Sequence, residues 1–273
     1  MAKILFTDLD GTLLDSNKKI SDFTFKVFNK WCSCGNYLVL CSGRDLNSVK
    51  DVQNELKFNF PNVLLSAYNG GQLFDCKNHK VFHRNCLSIE HTKFLSQQAK
   101  KMDLHMHTFS DTHIISPDNC DALKFYRKII KTPVIFSQDI TSPLTQGPCK
   151  CLCVEAYNLQ KLSDFRSKMQ NWADDNGVQM VQSTPYLLEI IPATSGKDKA
   201  VLKICEYLNI QLEDSIAAGD AENDISMIKV SGTGIAMANA SQEVKNAADI
   251  ITSRNCDDSG LAWQICECFG ISV

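Results

Sequence analysis

The fold of this chain is decided by one stretch near its start, Lys3-Ile-Leu-Phe-Thr-Asp8-Leu-Asp10-Gly-Thr12. Residues Lys3–Thr7 form a short apolar run, which is typical of a buried strand in a parallel sheet. Two aspartates and a glycine follow, so both carboxylates can lie at the end of the strand, where the chain must turn sharply. The stretch therefore predicts an α/β protein whose chemistry lies at the carboxyl ends of its strands.

The carboxylates of Asp8 and Asp10 indicate a cation site. Neighbouring carboxylates repel each other, and their hard oxygen atoms are ligands that Mg²⁺ accepts. Once the repulsion is neutralised, one carboxylate can attack phosphorus, and the other can protonate the leaving oxygen and then deprotonate water. The alternative is a surface loop with two solvated aspartates. The position between a buried strand and Gly-Thr favours the catalytic interpretation.

Both ends of the chain show alternating strands and helices. Apolar residues recur at helical spacing from Phe23 to Trp31, and a second helix is predicted at Val201–Leu208. The further predicted strands are Tyr37–Cys41, Val63–Ala67, Ser215–Ala218, Gly234–Met237 and Ile250–Thr252. This alternation predicts an α/β fold built on a doubly wound parallel sheet.

The middle of the chain differs from its ends, since all seven prolines fall between Pro61 and Pro192. A hairpin turn at Asp75–Lys80 leads out of the core. The elements predicted beyond it are helices at Ile89–Met102 and Leu159–Ala173 and strands at Leu104–Thr108, Cys151–Ala156 and Tyr186–Ile191. We therefore predict an α+β cap domain at residues 86–190, inserted into a core formed by residues 1–85 and 191–273. Such an insert can close over the strand ends, exclude water and select the leaving group.

Three further motifs fall at predicted strand ends or helix starts. Asp220 follows a predicted strand in Gly219-Asp220-Ala-Glu-Asn223-Asp224 and is placed to bind a metal, although an aspartate there can also be a helix N-cap. Ser42 and Gly43 follow the second strand and can hold a phosphate. Lys197 opens a helix and can bring a cation to the same phosphate.

The motifs together resemble the haloacid-dehalogenase superfamily of phosphatases, within it the Cof-type group with a type IIB cap. The resemblance implies that Asp8 is the nucleophile, that Asp10 is the general acid and base, and that Asp220 joins both in binding Mg²⁺. The predicted metal ligands are Asp8, Asp10, Asp220 and Asp224, and the predicted phosphate-binding residues are Thr12, Ser42, Gly43, Lys197 and Asn223. The segments Asn69-Gly70, Gly234 to Ala240 and Val244-Lys245 also resemble the family. Asp198 departs from it, because a glycine usually follows the lysine.

The expected function is Mg²⁺-dependent hydrolysis of small phosphate monoesters, such as sugar phosphates, through an aspartyl-phosphate. A phosphotransferase or phosphomutase of the same superfamily is the alternative. A non-catalytic binding protein that retains the fold is a third interpretation, which the presence of Asp8, Asp10, Lys197 and Asp220 disfavours.

Composition excludes other classes. The formal net charge of −3 disfavours nucleic acid as a partner. No apolar run approaches the roughly 20 residues of a membrane span, so a cytoplasmic location is expected. Most of the thirteen cysteines are expected to be free thiols. The three in Cys149-Lys-Cys151-Leu-Cys153 are expected on one face of a strand, although a zinc site there is an alternative. His105 and His107, with His113 on the next strand, suggest polar residues on the open or substrate-facing side of a sheet. A metal or pH-sensing role is the alternative.

Overall fold

The structure is a computed structural model that describes residues 2–58, 60–128 and 130–273. The chain divides into two compact units. The core unit comprises Met1–Gly43, Val49–His83 and Gly196–Val273, and the insert unit comprises Arg44–Ser48 and Arg84–Ser195. Compared with the predicted insert at 86–190, the insert unit starts two residues earlier and ends five residues later. It also includes Arg44–Ser48, which was predicted to belong to the core. The side chain of Asp45 in this segment accepts a hydrogen bond from Thr132 of the insert unit.

The structure gives the following elements in chain order. The strands are β1 (Ile4–Asp8), β2 (Tyr37–Cys41), β3 (Val63–Ala67), β4 (Gln72–Asp75), β5 (Lys80–Arg84), β6 (His105–Phe109), β7 (Ile114–Ser116), β8 (Val134–Phe136), β9 (Cys151–Val154), β10 (Val178–Thr184), β11 (Leu187–Pro192), β12 (Ser215–Gly219), β13 (Thr233–Ala236) and β14 (Ile250–Ile251). The helices are α1 (Asp22–Ser33), α2 (Leu46–Glu55), α3 (Ile89–Lys101), α4 (Asp121–Tyr126), α5 (Gln160–Asp175), α6 (Lys197–Leu208), α7 (Ile225–Val230), α8 (Gln242–Ala247) and α9 (Gly260–Phe269), with 3₁₀ turns at Leu212–Asp214 and Glu222–Asp224.

The core unit contains an eight-stranded sheet of order β14-β13-β12-β1-β2-β3-β4-β5. Neighbouring strands from β14 to β3 are parallel, and β4 runs antiparallel to β3. Strand β1 lies in the middle and is buried along its whole length. This arrangement confirms the predicted fold class.

The alternation of side chains along β1 positions the chemistry. Ile4 and Phe6 pack in one hydrophobic cluster with Val201 and Ile204 of α6. Successive side chains of a strand point to opposite faces, so Asp8 lies on the same face as Ile4 and Phe6. The end of β1 therefore presents its carboxylate towards the start of α6.

The insert unit contains a six-stranded sheet of order β10-β11-β9-β6-β7-β8. In the described part of the chain, β7 and β8 pair in parallel and the other neighbouring strands of this sheet pair antiparallel. One face of this sheet is apolar and packs against α3 and α5. Met106, Cys151 and Ile190 from the sheet cluster there with Leu95 and Phe165 from the helices. The insert is thus an α+β unit with a hydrophobic core of its own.

The other face of the insert sheet carries the histidines. His105 is nearly buried and His107 is fully buried, with Phe109 and Tyr126 in ring contact with His107. The prediction that the histidines lie on an open face of the sheet is therefore wrong for His107. His113 precedes β7 instead of lying on it. Burial lowers the pKa of His105 and holds the pKa of His107 well below its usual range, so both rings are neutral at neutral pH.

All thirteen cysteines are free thiols. Cys151 and Cys153 lie on β9 and face the apolar cluster, as the alternation predicted. Cys149 lies before the strand instead, and its sulfur is 3.5 Å from that of Cys86. No helix in the described part of the chain has both the length and the apolar character of a membrane span.

The hydrophobic cluster of the insert unit predicts how much stability is lost when one of its buried side chains is truncated. Phe165 is fully buried, whereas Tyr157 is 85% exposed. We expect Phe165→Ala to lower the free energy of unfolding by about 3–5 kcal/mol, because it leaves a cavity that the neighbours fill only in part. Tyr157→Ala is the matched aromatic control and should change it by about 0.5 kcal/mol or less. Urea unfolding followed by circular dichroism measures both; equal losses would contradict the assigned core.

Candidate active site

Three adjacent strands bring the predicted site residues to one edge of the core sheet. Asp8 ends β1, Ser42 follows β2, and Asp220 follows β12. Asp8 is in register with Cys41, and Thr7 is in register with Ala218. Because parallel strands end at the same edge, these side chains gather at the carboxyl ends of the strands, where α/β sheets bind ligands.

Lys197 lies at the centre of this group. It is the first residue of α6, and its side chain has no exposed surface. Its Nζ lies 2.5 Å from Oδ1 of Asp8 and 2.6 Å from Oδ1 of Asp224. A buried ammonium needs such partners, because an unpaired charge in the interior is strongly destabilising.

The turn after β12 holds Asp224 in place. Its Oδ2 accepts hydrogen bonds of 3.0 Å from the backbone N–H groups of Asp220 and Ala221. A Cβ added at Gly219 would lie 2.3 Å from the Cβ of Asp224, so a side chain there would displace the carboxylate. Asp224 is fully buried, and its contacts make it primarily the residue that orients Lys197.

Thr12 and Gly11 support Asp220. The Thr12 hydroxyl donates to Oδ1 of Asp220 at 2.8 Å, so this predicted phosphate-binding hydroxyl holds a carboxylate in the structure. Gly11 has a φ of +93°, and a Cβ there would lie 2.4 Å from Oδ2 of Asp220. Glycine therefore meets two requirements at once, a left-handed backbone and the close approach of the carboxylate.

Asp10 lies at the open side of the group. Its Oδ1 pairs with Nζ of Lys18 at 2.8 Å, and 36% of its side chain is exposed, against 12% for Asp8. Asp10 is not among the carboxylates whose oxygen atoms cluster with that of Asp8. Its position at the edge is suited to proton exchange with a leaving group or with water.

The sequence analysis did not assign roles to several residues that the structure places at this site. Asn69 accepts a hydrogen bond from Nδ2 of Asn223 at 3.0 Å, and its backbone N–H donates to the carbonyl of Ser42. Asn239 donates to the carbonyl of Gly11 at 2.8 Å. Asn69 and Asn239 lie in segments that resemble the family, and this resemblance was the signal that the sequence offered for them. Nothing in the sequence indicated a role for Lys18. The predicted phosphate-binding pair Ser42 and Gly43 directly follows Cys41, the last residue of β2, which is in register with Asp8.

The charges of this cluster do not balance. Three carboxylates, those of Asp8, Asp220 and Asp224, face the single ammonium of Lys197, which leaves a formal charge of −2. Burial, and then the neighbouring carboxylates, raise the pKa of Asp8 despite the opposing effect of Lys197. Burial and Asp224 raise the pKa of Asp220 to about 6. Burial alone would lower the pKa of Lys197, but Asp224 and Asp8 outweigh it and raise the pKa.

The donor set fits a hard divalent cation. One carboxylate oxygen from each of Asp8, Asp220 and Asp224 lies within 4.8 Å of the others. A divalent ion would cancel the formal charge of −2, and carboxylate oxygens are the ligands that Mg²⁺ prefers. The residues present are therefore compatible with the metal that the sequence predicts.

Comparison with known proteins identifies the family. A family model described as haloacid dehalogenase-like hydrolase matches residues 5–265, so the chain belongs to this family. A haloacid dehalogenase-like hydrolase from Bacteroides thetaiotaomicron superposes with a TM-score of 0.88 at 31% identity, over 98% of this chain and 100% of that chain. The chain is also 26% identical over 288 residues to a 5-amino-6-(5-phospho-D-ribitylamino)uracil phosphatase of Bacillus subtilis (strain 168), with 96% of each covered.

A third comparison concerns the fold alone. A sugar phosphatase of haloacid dehalogenase subclass IIB superposes with a TM-score of 0.80 at 20% identity, over 99% of this chain and 100% of that chain. The predicted superfamily and the predicted enzyme class, a phosphatase, are confirmed by the family model and by relatives that are themselves named phosphatases.

The raised pKa of Asp220 predicts how stability depends on pH in metal-free buffer. Between its usual value of 3.8 and about 6, Asp220 holds its proton in the folded state but loses it in the unfolded state. The contribution of Asp220 to the free energy of unfolding is therefore full below pH 4 and is lost as the pH rises through 6. We expect wild type to lose stability relative to Asp220→Asn over this range. Thermal unfolding in chelator measures the difference; parallel pH profiles would contradict the assignment.

Proposed function

We propose that this protein hydrolyses small phosphate monoesters with Mg²⁺, with Asp8 as the nucleophile. The observation that carries the proposal is the contact between Asp8 and Lys197 at the carboxyl edge of the sheet. A carboxylate that attacks a dianionic phosphoryl group needs cations beside it, since two anions otherwise repel each other. Lys197 supplies one such charge and is fixed by Asp224.

The first step transfers the phosphoryl group to the enzyme. A carboxylate oxygen of Asp8 forms a bond to phosphorus while the bond between phosphorus and the ester oxygen breaks. Asp10 gives its proton to the leaving oxygen, and its exposed position allows it to reach that atom. Lys197 and Ser42 hold the transferred group in the proposed mechanism.

The second step returns the enzyme to its starting state. Asp10, now a carboxylate, removes a proton from water, and the water oxygen attacks phosphorus as the bond to Asp8 breaks. Inorganic phosphate leaves. We propose that Asp8, Asp220 and Asp224 would hold Mg²⁺, with Asp10 at the open side of the group; when bound, the ion would supply positive charge to the phosphoryl oxygens and cancel carboxylate repulsion.

We further propose that the substrates are phosphorylated sugars or sugar alcohols and that the insert unit selects among them. A similar protein supports this substrate class, because the substrate in the name of the Bacillus subtilis phosphatase carries a phosphoribityl group. The division of the chain supports the second part, because Asp8, Asp10, Lys197 and Asp220 all belong to the core unit. Thirteen free thiols support a reducing, cytoplasmic location.

A panel of phosphates tests the function. We expect inorganic phosphate to be released from sugar and polyol phosphates and from an aryl phosphate, and release to stop when Mg²⁺ is chelated. Calcium should substitute poorly, because its larger and looser coordination shell would misplace the nucleophile. Phosphate release should be measured with Mg²⁺, with Ca²⁺ and with chelator. Full activity in chelator would refute the metal dependence, and transfer to a sugar acceptor in place of water would favour a mutase.

Substitution of the two aspartates tests their separate roles. Asp8→Asn should abolish turnover, because an amide is a far poorer nucleophile than a carboxylate. Asp10→Asn should still form the phosphoryl-enzyme from an aryl phosphate, whose leaving group needs little protonation, but should slow its hydrolysis. Asp22→Asn, at an exposed position of α1 in the same unit, is the control and should retain activity.

Rapid-quench measurement of bound phosphate, together with steady-state turnover, separates these outcomes. Circular dichroism checks that each variant is folded. Near-normal turnover in the Asp8→Asn variant would show that another group is the nucleophile.

A further inference from the structure

A second group of metal-ligand side chains lies in the insert unit, apart from the carboxylates of the active site. It consists of His105 on β6 and of Asp118 and Cys120, which lie between β7 and α4. Nδ1 of His105 is 3.1 Å from Sγ of Cys120 and 4.0 Å from Oδ1 of Asp118. One ligand atom from each of the three residues lies within 4.8 Å of the others. Three residues from two segments thus converge on one point.

The donor types at this point differ from those of the active site. Imidazole nitrogen, thiolate sulfur and carboxylate oxygen are the three protein ligands of Zn²⁺, whereas Mg²⁺ is held by oxygen. A tetrahedral zinc ion holds its nitrogen, sulfur and oxygen ligands about 3.3–3.7 Å apart. The separation from His105 to Cys120, 3.1 Å, is slightly shorter than this range, and the separation from His105 to Asp118, 4.0 Å, is slightly longer. We propose that His105, Asp118 and Cys120 form a zinc site in the insert unit.

The surroundings of His105 support the proposal. Its Nε2 lies 3.2 Å from Nδ1 of His107. When Nε2 of His105 donates this hydrogen bond, the lone pair of Nδ1 is left to face Cys120 and Asp118. Metal-bound histidines usually have such a partner on the second ring nitrogen, which fixes the ring and its tautomer. His107 is fully buried against Phe109 and Tyr126, so it is a rigid partner.

The site also has access to solvent. The side chain of Asp118 is 59% exposed, whereas that of His105 is only 8% exposed. A metal ion can therefore enter from the side of Asp118, and a water molecule can complete the four ligands. Bound zinc would tie β6 to the segment that leads into α4, which carries Tyr126. Zinc binding at this site is independent of the proposed hydrolysis.

Cobalt tests the proposal, because Co²⁺ takes the place of Zn²⁺ and its bond to a thiolate gives a near-ultraviolet charge-transfer absorption. The oxygen ligands of the active site cannot give this band. We expect the full-length, reduced, metal-stripped protein to show the band with one equivalent of Co²⁺, and Zn²⁺ but not excess Mg²⁺ to abolish it. Cys120→Ser and His105→Ala should remove the band. His107→Phe should keep it but weaken the affinity about 10- to 100-fold.

Cys86→Ser is the matched control, because Cys86 and Cys149 are a close pair of thiols in the insert unit, with their sulfur atoms 3.5 Å apart. This variant should keep the band. Zinc should also raise the melting temperature of wild type and of Cys86→Ser but not that of Cys120→Ser, and circular dichroism of the metal-free variants checks their fold. A wild-type protein without the band, or a band that survives Cys120→Ser, would overturn the proposal. A band lost in Cys86→Ser would place the metal on the Cys86–Cys149 pair instead.

Discussion

The candidate active site depends on the ion pairs that the buried ammonium of Lys197 forms with two carboxylates. The Lys197 side chain has no exposed surface and lies between Asp8 and Asp224. Removing one partner from a buried ion pair costs about 3–5 kcal/mol, so the end of β1, the turn after β12 and the start of α6 must hold these three groups within hydrogen-bond distance. The fold provides this meeting: β1 and β12 are adjacent parallel strands, and α6 packs on the face that carries Asp8. The ion pairs of Lys197 therefore constrain the sheet and also take part in the proposed chemistry.

The same constraint explains why the loops contain small residues. Carboxylates can be brought this close only where the backbone leaves space for them, and Gly11 and Gly219 lie where a Cβ would collide with Asp220 or Asp224. Burial, and after it the repulsion between the collected carboxylates, raises the pKa values of Asp8 and Asp220. A site that is unfavourable when empty of cations is one that binds a cation strongly. Electrostatic strain between the aspartates is thus the physical origin of the proposed metal dependence.

The sequence predicted those parts that depend on local pattern. Strands such as β2 and β3 are continuous apolar runs bounded by polar residues, and their predicted limits agree with the structure. The helix α2 and the strand β8 were not predicted, because α2 is largely polar and β8 is short and mostly exposed. The contacts of the candidate site also divide into those that a local sequence pattern predicts and those that it does not. Motif order identified Asp8 and Asp220, but the use of the Thr12 hydroxyl to hold Asp220 depends on residues that are distant in sequence and meet only in the folded sheet.

The two clusters of potential ligands also show how one chain can separate two metals. The type of donor contributes to metal selectivity, because imidazole and thiolate suit zinc whereas carboxylate oxygens suit magnesium. The cluster of Asp8, Asp220 and Asp224 offers only carboxylate oxygens, with Lys197 beside them to limit the total negative charge. The cluster of His105, Asp118 and Cys120 offers nitrogen and sulfur, which a hard ion binds poorly. If both proposed sites bind metal, a softer ion would have a more favourable place in the insert unit, which would leave the carboxylates of the core unit to the harder one.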